Sequence, residues 1–173
     1  MNEHSVPAHA PAGLRLADLT TLRVGGPALE VVTVTAEDEL VDAVRDADGR
    51  GVPVLVVGGG SNLVVADAGF DGVVVLVRTR GVDGADGMLR VAAGEPWDDL
   101  VAATVTDGFG GIAALSGIPG LAGATPIQNV GAYGQEVASV LASVRVLERG
   151  TGDVHELGPG ELGVPDPRLP RGS

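Results

Sequence analysis

The stretch Ser116–Tyr133 reads SGIPGLAGATPIQNVGAY and is closed by Gly134. Its apolar residues recur neither every 3.6 positions, as on a helix face, nor every second position, as on a strand. Gly117, Gly120, Gly123, Gly131 and Gly134 punctuate it, with Pro119 and Pro126 between them. Glycine admits positive φ and close backbone approach while proline fixes φ, so the chain here holds one irregular path. Thr125, Gln128, Asn129 and Tyr133 add the densest cluster of neutral hydrogen-bonding side chains in the sequence. Such a path, presenting backbone N–H groups beside polar side chains, reads as a cradle for a cofactor.

The residues upstream read as the scaffold for that cradle. Leu29–Val34 has strand character after the Gly25-Gly26-Pro27 break. Leu40, Val41, Val44 and Ala47 then share one face, which predicts a helix over Glu37–Asp48. Thr35 is its expected N-cap, with Asp38 in the capping-box position and Gly49 and Gly51 ending it. Val52–Val57 is a continuous apolar run, as in a strand buried on both faces. Strand, helix and strand make a βαβ unit.

That second strand opens into Gly58-Gly59-Gly60-Ser61-Asn62. Three glycines after a buried strand suit an anion nest. They equally suit a plain turn before a further strand, Leu63–Val65. A dinucleotide GxGxxG fingerprint would need glycine where Leu63 stands. Beyond this loop, Val73–Val77 reads as a buried strand and Gly81–Gly87 as a polar boundary between two lobes. Met88–Ala93 reads as a strand, and Pro96 as the N1 residue of a helix reaching Asp107, with Trp97 packed beneath it. Val140–Glu148 and Val154–Leu157 read as a hairpin, and His155 as a surface strand residue with no acid–base partner. Pro165, Pro167 and Pro170 then forbid a helix or a central strand.

Composition narrows the chemistry. The 173 residues suit one domain or two small lobes, and 45% apolar content supplies a core with only 2% aromatic residues. There is no cysteine, which excludes disulfides, thiolate zinc sites and a cysteine nucleophile. All eleven basic residues are arginine, so neither a Walker lysine nor a Schiff-base lysine exists. A net charge of −12 argues against nucleic acid as a partner. No apolar run approaches the ~18 residues of a membrane span, and the first residues lack a signal-peptide pattern, so a cytoplasmic location is expected. No metal site is expected; His4 and His9 fall in a Pro- and Ala-rich segment that reads as a loose tail.

Three motifs coincide in order: TTLRVGGPA, PVLVVGGGSNLVVAD and GIPGLAGATPIQNVGAYGQEV. Together they resemble the UDP-N-acetylenolpyruvoylglucosamine reductase family over about residues 16–163; the third motif is long and specific, whereas GGGSN alone is weak. The resemblance implies an α/β (α+β) fold, the two-lobed FAD-binding domain of the vanillyl-alcohol-oxidase/PCMH type. It implies that Gly58, Gly59, Gly60, Ser61, Asn62 and Leu63 wrap the FAD pyrophosphate. It likewise implies that Ile118, Pro119, Gly120, Ala124, Thr125, Gln128, Asn129, Gly131, Ala132 and Tyr133 run along the flavin. The family reaction uses NADPH to reduce an enolpyruvyl sugar nucleotide to UDP-N-acetylmuramate, a cell-wall precursor, so the implied partners are small-molecule nucleotides.

On this resemblance, residues 1–15 form a flexible tail, 16–82 the first FAD-binding lobe, 83–163 the second, and 164–173 an aberrant Pro/Arg-rich tail. The family's catalytic arginine, serine and glutamate find no matching positions, Arg168 being merely nearby, and the substrate-binding domain is absent. A reading-frame shift or sequencing error near Gly163 is the expected origin. Two other readings stand beside this one: another PCMH-type FAD oxidoreductase, and a non-catalytic nucleotide-binding module.

Overall fold

The computed structural model describes residues 14–163 and the backbone of Ala8–His9. Ala8–His9 (β1) pairs antiparallel with Ala28–Val34 (β2), Ala8 facing Thr33 and His9 facing Val32. A two-residue strand thus lies in the segment read as a loose tail. Backbone pairing on an open sheet edge needs no apolar side chains, so composition does not register it. The Pro/Arg-rich segment 164–173, and the frame shift expected there, lie outside the described residues.

Helix Glu37–Gly49 (α1) follows β2, then come Val54–Val57 (β3) and Phe70–Val77 (β4). The sheet order is β1-β2-β4-β3, with β4 parallel to both neighbours. The βαβ unit therefore has a strand inserted at its centre. β4 is the strand covered on both faces: Val73 and Val75 pack toward α1 with Val32, Val34, Ala43 and Ala47. Val74 and Leu76 pack the other way with Leu16 and Val57. β3 is instead the sheet edge, and Val56 is 52% exposed, contrary to the doubly buried strand expected there. An apolar run marks a strand but does not say which neighbour fills each side. Leu63–Val65 is no strand either. Leu63 and Val65 pack on the core while Val64 stands 77% exposed, so the alternation is present without a pairing partner.

The start of α1 lies one residue beyond the expected cap. Ala36 is the N-cap, and the carboxylate of Glu39, not Asp38, closes the turn. Glu39 Oε2 accepts from Thr35 N–H at 2.7 Å, Thr35 Oγ1 at 3.0 Å and Ala36 N–H at 3.3 Å. Because Glu39 is buried, its removal strands three donors. Glu39→Ala is expected to destabilise the chain by about 1–3 kcal/mol, against a few tenths for Asp38→Ala. Equal losses in paired urea titrations would reject this account of the cap.

The segment read as a polar boundary is a β-hairpin, Val82–Ala85 (β5) with Met88–Val91 (β6). Its two-residue turn, Asp86-Gly87, has φ of 53° and 78°. Positive φ at both positions is the type I′ turn that Asp-Gly favours. Helix Trp97–Thr106 (α2) follows, with Pro96 as N-cap rather than N1. Trp97 is 3% exposed, in a second core with Leu100, Val101, Leu115 and Val137. Two small hairpins complete the chain: Gly131–Ala132 (β7) with Gln135–Glu136 (β8), and Val144–Leu147 (β9) with Val154–Leu157 (β10). On the last hairpin His155 Nε2 lies 3.1 Å from Glu148 Oε2, so it does have an acidic neighbour.

That hairpin returns to α1 through three arginines. Arg145 pairs with Glu37 at 2.5 Å, Arg149 reaches both carboxylate oxygens of Asp48, and Arg45 donates to Gly152 O. At the other junction, Gly94 N–H donates to buried Thr79 Oγ1 at 2.9 Å.

Candidate functional site

The C-terminal ends of β2, β3 and β4 share one edge, because the three strands are parallel. In open parallel sheets, ligands bind beyond that edge. From it β3 runs directly into Gly58–Asn62.

Gly60 is the pivot of this loop. It is buried with φ +68°, and a Cβ there would lie 1.8 Å from the Leu19 carbonyl oxygen. Thr21 N–H donates to Gly60 O at 3.1 Å, which pins the TTLR segment beneath the loop. Among the described residues, nothing accepts a hydrogen bond from the N–H groups of Gly59, Gly60, Ser61 or Asn62. Four consecutive donors without an internal acceptor, one on a buried residue, need an external one.

The irregular stretch comes to meet this loop. A Cβ on Gly59 would sit 3.3 Å from Gly120 Cα, and one on Gly58 3.3 Å from the Leu121 side chain. Ser61 Oγ lies 3.5 Å from Pro119 O, and Asn62 Nδ2 donates to Gln128 Oε1 at 3.1 Å. The stretch is held from behind by Trp97 N–H to Gly120 O, Ala122 N–H to Glu95 O and Gly123 N–H to Ala93 O. The two motifs read separately in the sequence are therefore in contact.

Other candidates are placed differently. A cavity of about 590 Å³ is lined by Ile118, Gln128, Asn129, Gly131, Ala132 and Gln135, among others. Only Gln128 belongs both to this cavity and to the glycine-loop contact. Thr125 is buried and its hydroxyl donates to Ala122 O at 2.8 Å, so it fixes the turn that carries Ala124. Asn129 (φ 43°) accepts from Ala138 N–H through Oδ1 and donates to Glu136 through Nδ2. Tyr133 occupies the tip of the β7–β8 hairpin, between cavity-lining Ala132 and Gly134, and is 95% exposed. Leu63 packs on the first core, leaving only its backbone for the loop.

Two residues passed over in the sequence take part. Arg78, just past β4, donates through Nη1 to Gly58 O at 3.0 Å and to Val77 O at 2.7 Å. An arginine directly after a buried strand, in a chain without lysine, was the available signal. Asp98, in the first turn of α2, accepts from Gly117 N–H at 2.7 Å and Ser116 Oγ at 2.8 Å. These bonds, Gly117 first, hold the Asp98 carboxyl below its usual range.

A depressed native pKa means that the unfolded chain binds more protons in acid, so the contribution is present above the unfolded value and lost as pH falls through the native one. Asp48, lowered chiefly by hydrogen bonds from Arg149, acts in the same direction. Asp98→Asn should therefore lose less stability than the wild type between roughly pH 6 and pH 2.5 in thermal denaturation. An identical acid loss in the two proteins would remove Asp98 as the anchor of the stretch.

The model of a family described as FAD binding domain matches residues 28–158. The chain belongs to this FAD-binding domain family. Within it, the chain is 62% identical over 151 residues to UDP-N-acetylenolpyruvoylglucosamine reductase of Nocardia farcinica, covering 87% of this chain and 39% of that protein. It is 53% identical over 162 residues to the reductase of Saccharopolyspora erythraea, covering 91% and 44%. The chain thus spans about two fifths of the length of these curated relatives. The crystal structure of the reductase from Thermus caldophilus superposes with a TM-score of 0.72 at 34% identity, covering 95% of this chain and 57% of that one. Aclacinomycin oxidoreductase gives 0.64 at 22% identity, over 88% and 34%, a likeness of fold alone. The fold class is accordingly the α/β FAD-binding type that the motif wording implied. Among the described residues, no helix of this FAD-binding domain is long and apolar enough to cross a membrane.

Proposed function

We propose that this chain holds FAD and forms the FAD-binding portion of an NADPH-dependent UDP-N-acetylenolpyruvoylglucosamine reductase. The single observation that carries the reading is the run of four N–H donors at Gly59–Asn62 with no acceptor among the described residues, set against Pro119–Leu121. Backbone donors at glycines suit a pyrophosphate, because nothing but hydrogen projects from the loop toward it. In this reading Gly58–Leu63 hold the diphosphate, and the stretch Ile118–Tyr133 supports the flavin ring. When bound, FAD carries the hydride from the nicotinamide donor to the enolpyruvyl group. The chain's own part is to fix that cofactor, keep the loop rigid through Gly60 and Arg78, and orient the stretch through Trp97 and Asp98. Residues 16–82 and 83–163 serve as the two lobes, the substrates are small-molecule nucleotides, and the protein works in the cytoplasm with a net charge that repels nucleic acid.

Titrating the purified chain with FAD should give one flavin per chain with quenched flavin fluorescence. Grafted in place of the matching segment of the Nocardia farcinica relative, it should support NADPH oxidation that depends on the enolpyruvyl substrate. A colourless, well-folded chain that ignores FAD would overturn the reading.

A further inference from the structure

We infer that Arg78 is the counter-charge of the glycine loop: it binds the cofactor's diphosphate directly while holding the loop's backbone in shape. The assignment rests on the FAD reading of the loop given above.

Arg78 leaves the sheet at the C-terminal end of its central strand, the edge from which Gly58–Asn62 also departs. Its Nη1 is committed to the carbonyls of Gly58 and Val77. A guanidinium carries five N–H donors in a rigid fork. Among the described residues, no acceptor takes those on Nη2 or Nε, and no carboxylate pairs with Arg78. By contrast Arg50, Arg80, Arg145 and Arg149 each pair with a glutamate or aspartate. Arg15, Arg23, Arg45 and Arg90 also lack an acid but are exposed, so among the described residues Arg78 is the one half-buried arginine, and no carboxylate faces it. Its bond to Gly58 O sets that charge at the entry to the loop whose next four N–H groups have no acceptor among the described residues, so one anion would answer both.

The anchoring matters as much as the charge. Clamping Gly58 O restricts the residue that leads into the nest, and half-burial of the guanidinium reduces screening of its field. A diphosphate placed there would gain charge-assisted bonds from a fork that is already ordered. Backbone donors alone would leave the ligand's negative charges without a compensating positive one. Among the described residues no other arginine is hydrogen-bonded to this loop, and the chain has no lysine to substitute for it.

The test compares wild type with Arg78→Gln and Arg78→Lys, each first shown to retain native circular dichroism, by titration with FAD, ADP and riboflavin. Arg78→Gln should weaken FAD and ADP by about 10- to 100-fold, the effect of one charged hydrogen-bonding group. Riboflavin, which lacks phosphate, should change by less than about twofold, and the salt dependence of FAD binding should become shallower. Arg78→Lys, which keeps the charge but not the fork, should recover part of the lost FAD and ADP affinity. Arg78→Gln binding FAD and ADP like wild type, or losing riboflavin equally, overturns the proposal, as does Arg78→Lys being no better than Arg78→Gln. A wild type that binds neither FAD nor ADP overturns the FAD reading itself, and this proposal with it.

Discussion

Gly60→Ala is expected to lower the unfolding free energy by roughly 2–5 kcal/mol and to abolish FAD binding, whereas Gly59→Ala should fold nearly normally and lose mainly affinity. The two glycines are neighbours but meet different constraints. At Gly60, φ is +68° and a methyl would intrude to 1.8 Å from Leu19 O. A left-handed conformation costs a non-glycine residue about 1–2 kcal/mol, and overpacking against backbone adds about 1–3. The collision cannot be relieved by a rotamer change, because Leu19 O belongs to the backbone under the loop. Displacing it also breaks the bond from Thr21 N–H to Gly60 O, so the TTLR segment moves with the loop. At Gly59 the nearest obstacle is Gly120 Cα at 3.3 Å, a contact that a shift of a few tenths of an ångström relieves. That shift separates the loop from the stretch that faces it, so binding suffers before stability does. Urea unfolding and flavin titration on both variants check the split. Comparable stabilities for the two would show that the loop is more pliable than its contacts indicate.

The same contrast separates what could be read in the sequence from what could not. Val73–Val77 is legible as a buried strand because five successive residues are apolar, and α1 because Val41, Val44 and Ala47 repeat on one face. The insertion of β4 between β2 and β3 left no such trace, since pairing order is a non-local choice that no periodicity encodes. The Asp86-Gly87 hairpin did leave a trace, and it was overridden by the acidic character of the surrounding residues. At the site, Gly58–Asn62 and Ser116–Tyr133 are legible as special because their glycines serve no regular element. Their mutual contact is not, because Ser61 and Pro119 are 58 positions apart. Arg78 and Asp98 escape for the same reason: each acts on a backbone about 20 residues away, through a bond that only folding creates. The candidate set therefore holds the residues that line the cradle and omits those that hold it in place.

Trp97→Ala should be the most damaging single side-chain change in the second lobe, and its damage should reach the cradle. Truncating a buried tryptophan costs about 3–5 kcal/mol, a large share of the ~5–15 kcal/mol that stabilises a whole domain. Trp97 is the centre of the second core, and its Nε1–H donates to Leu115 O at 3.0 Å. Ile118, Ala122 and Ala132 pack against that core from the stretch itself. With the indole gone, these residues lose their footing, and Gly120 O loses the firmly held Trp97 N–H that donates to it. Hydrogen exchange should then accelerate across residues 112–132 while β4 (Phe70–Val77), buried in the other core, keeps its protection. Trp97→Phe restores most of the volume but leaves Leu115 O without its donor, so it should cost about 1–3 kcal/mol and retain measurable FAD binding. If Trp97→Ala loosened the strands of the first lobe as much as the stretch, the two cores would be one cooperative unit. The cradle would then rest on the whole chain rather than on this tryptophan.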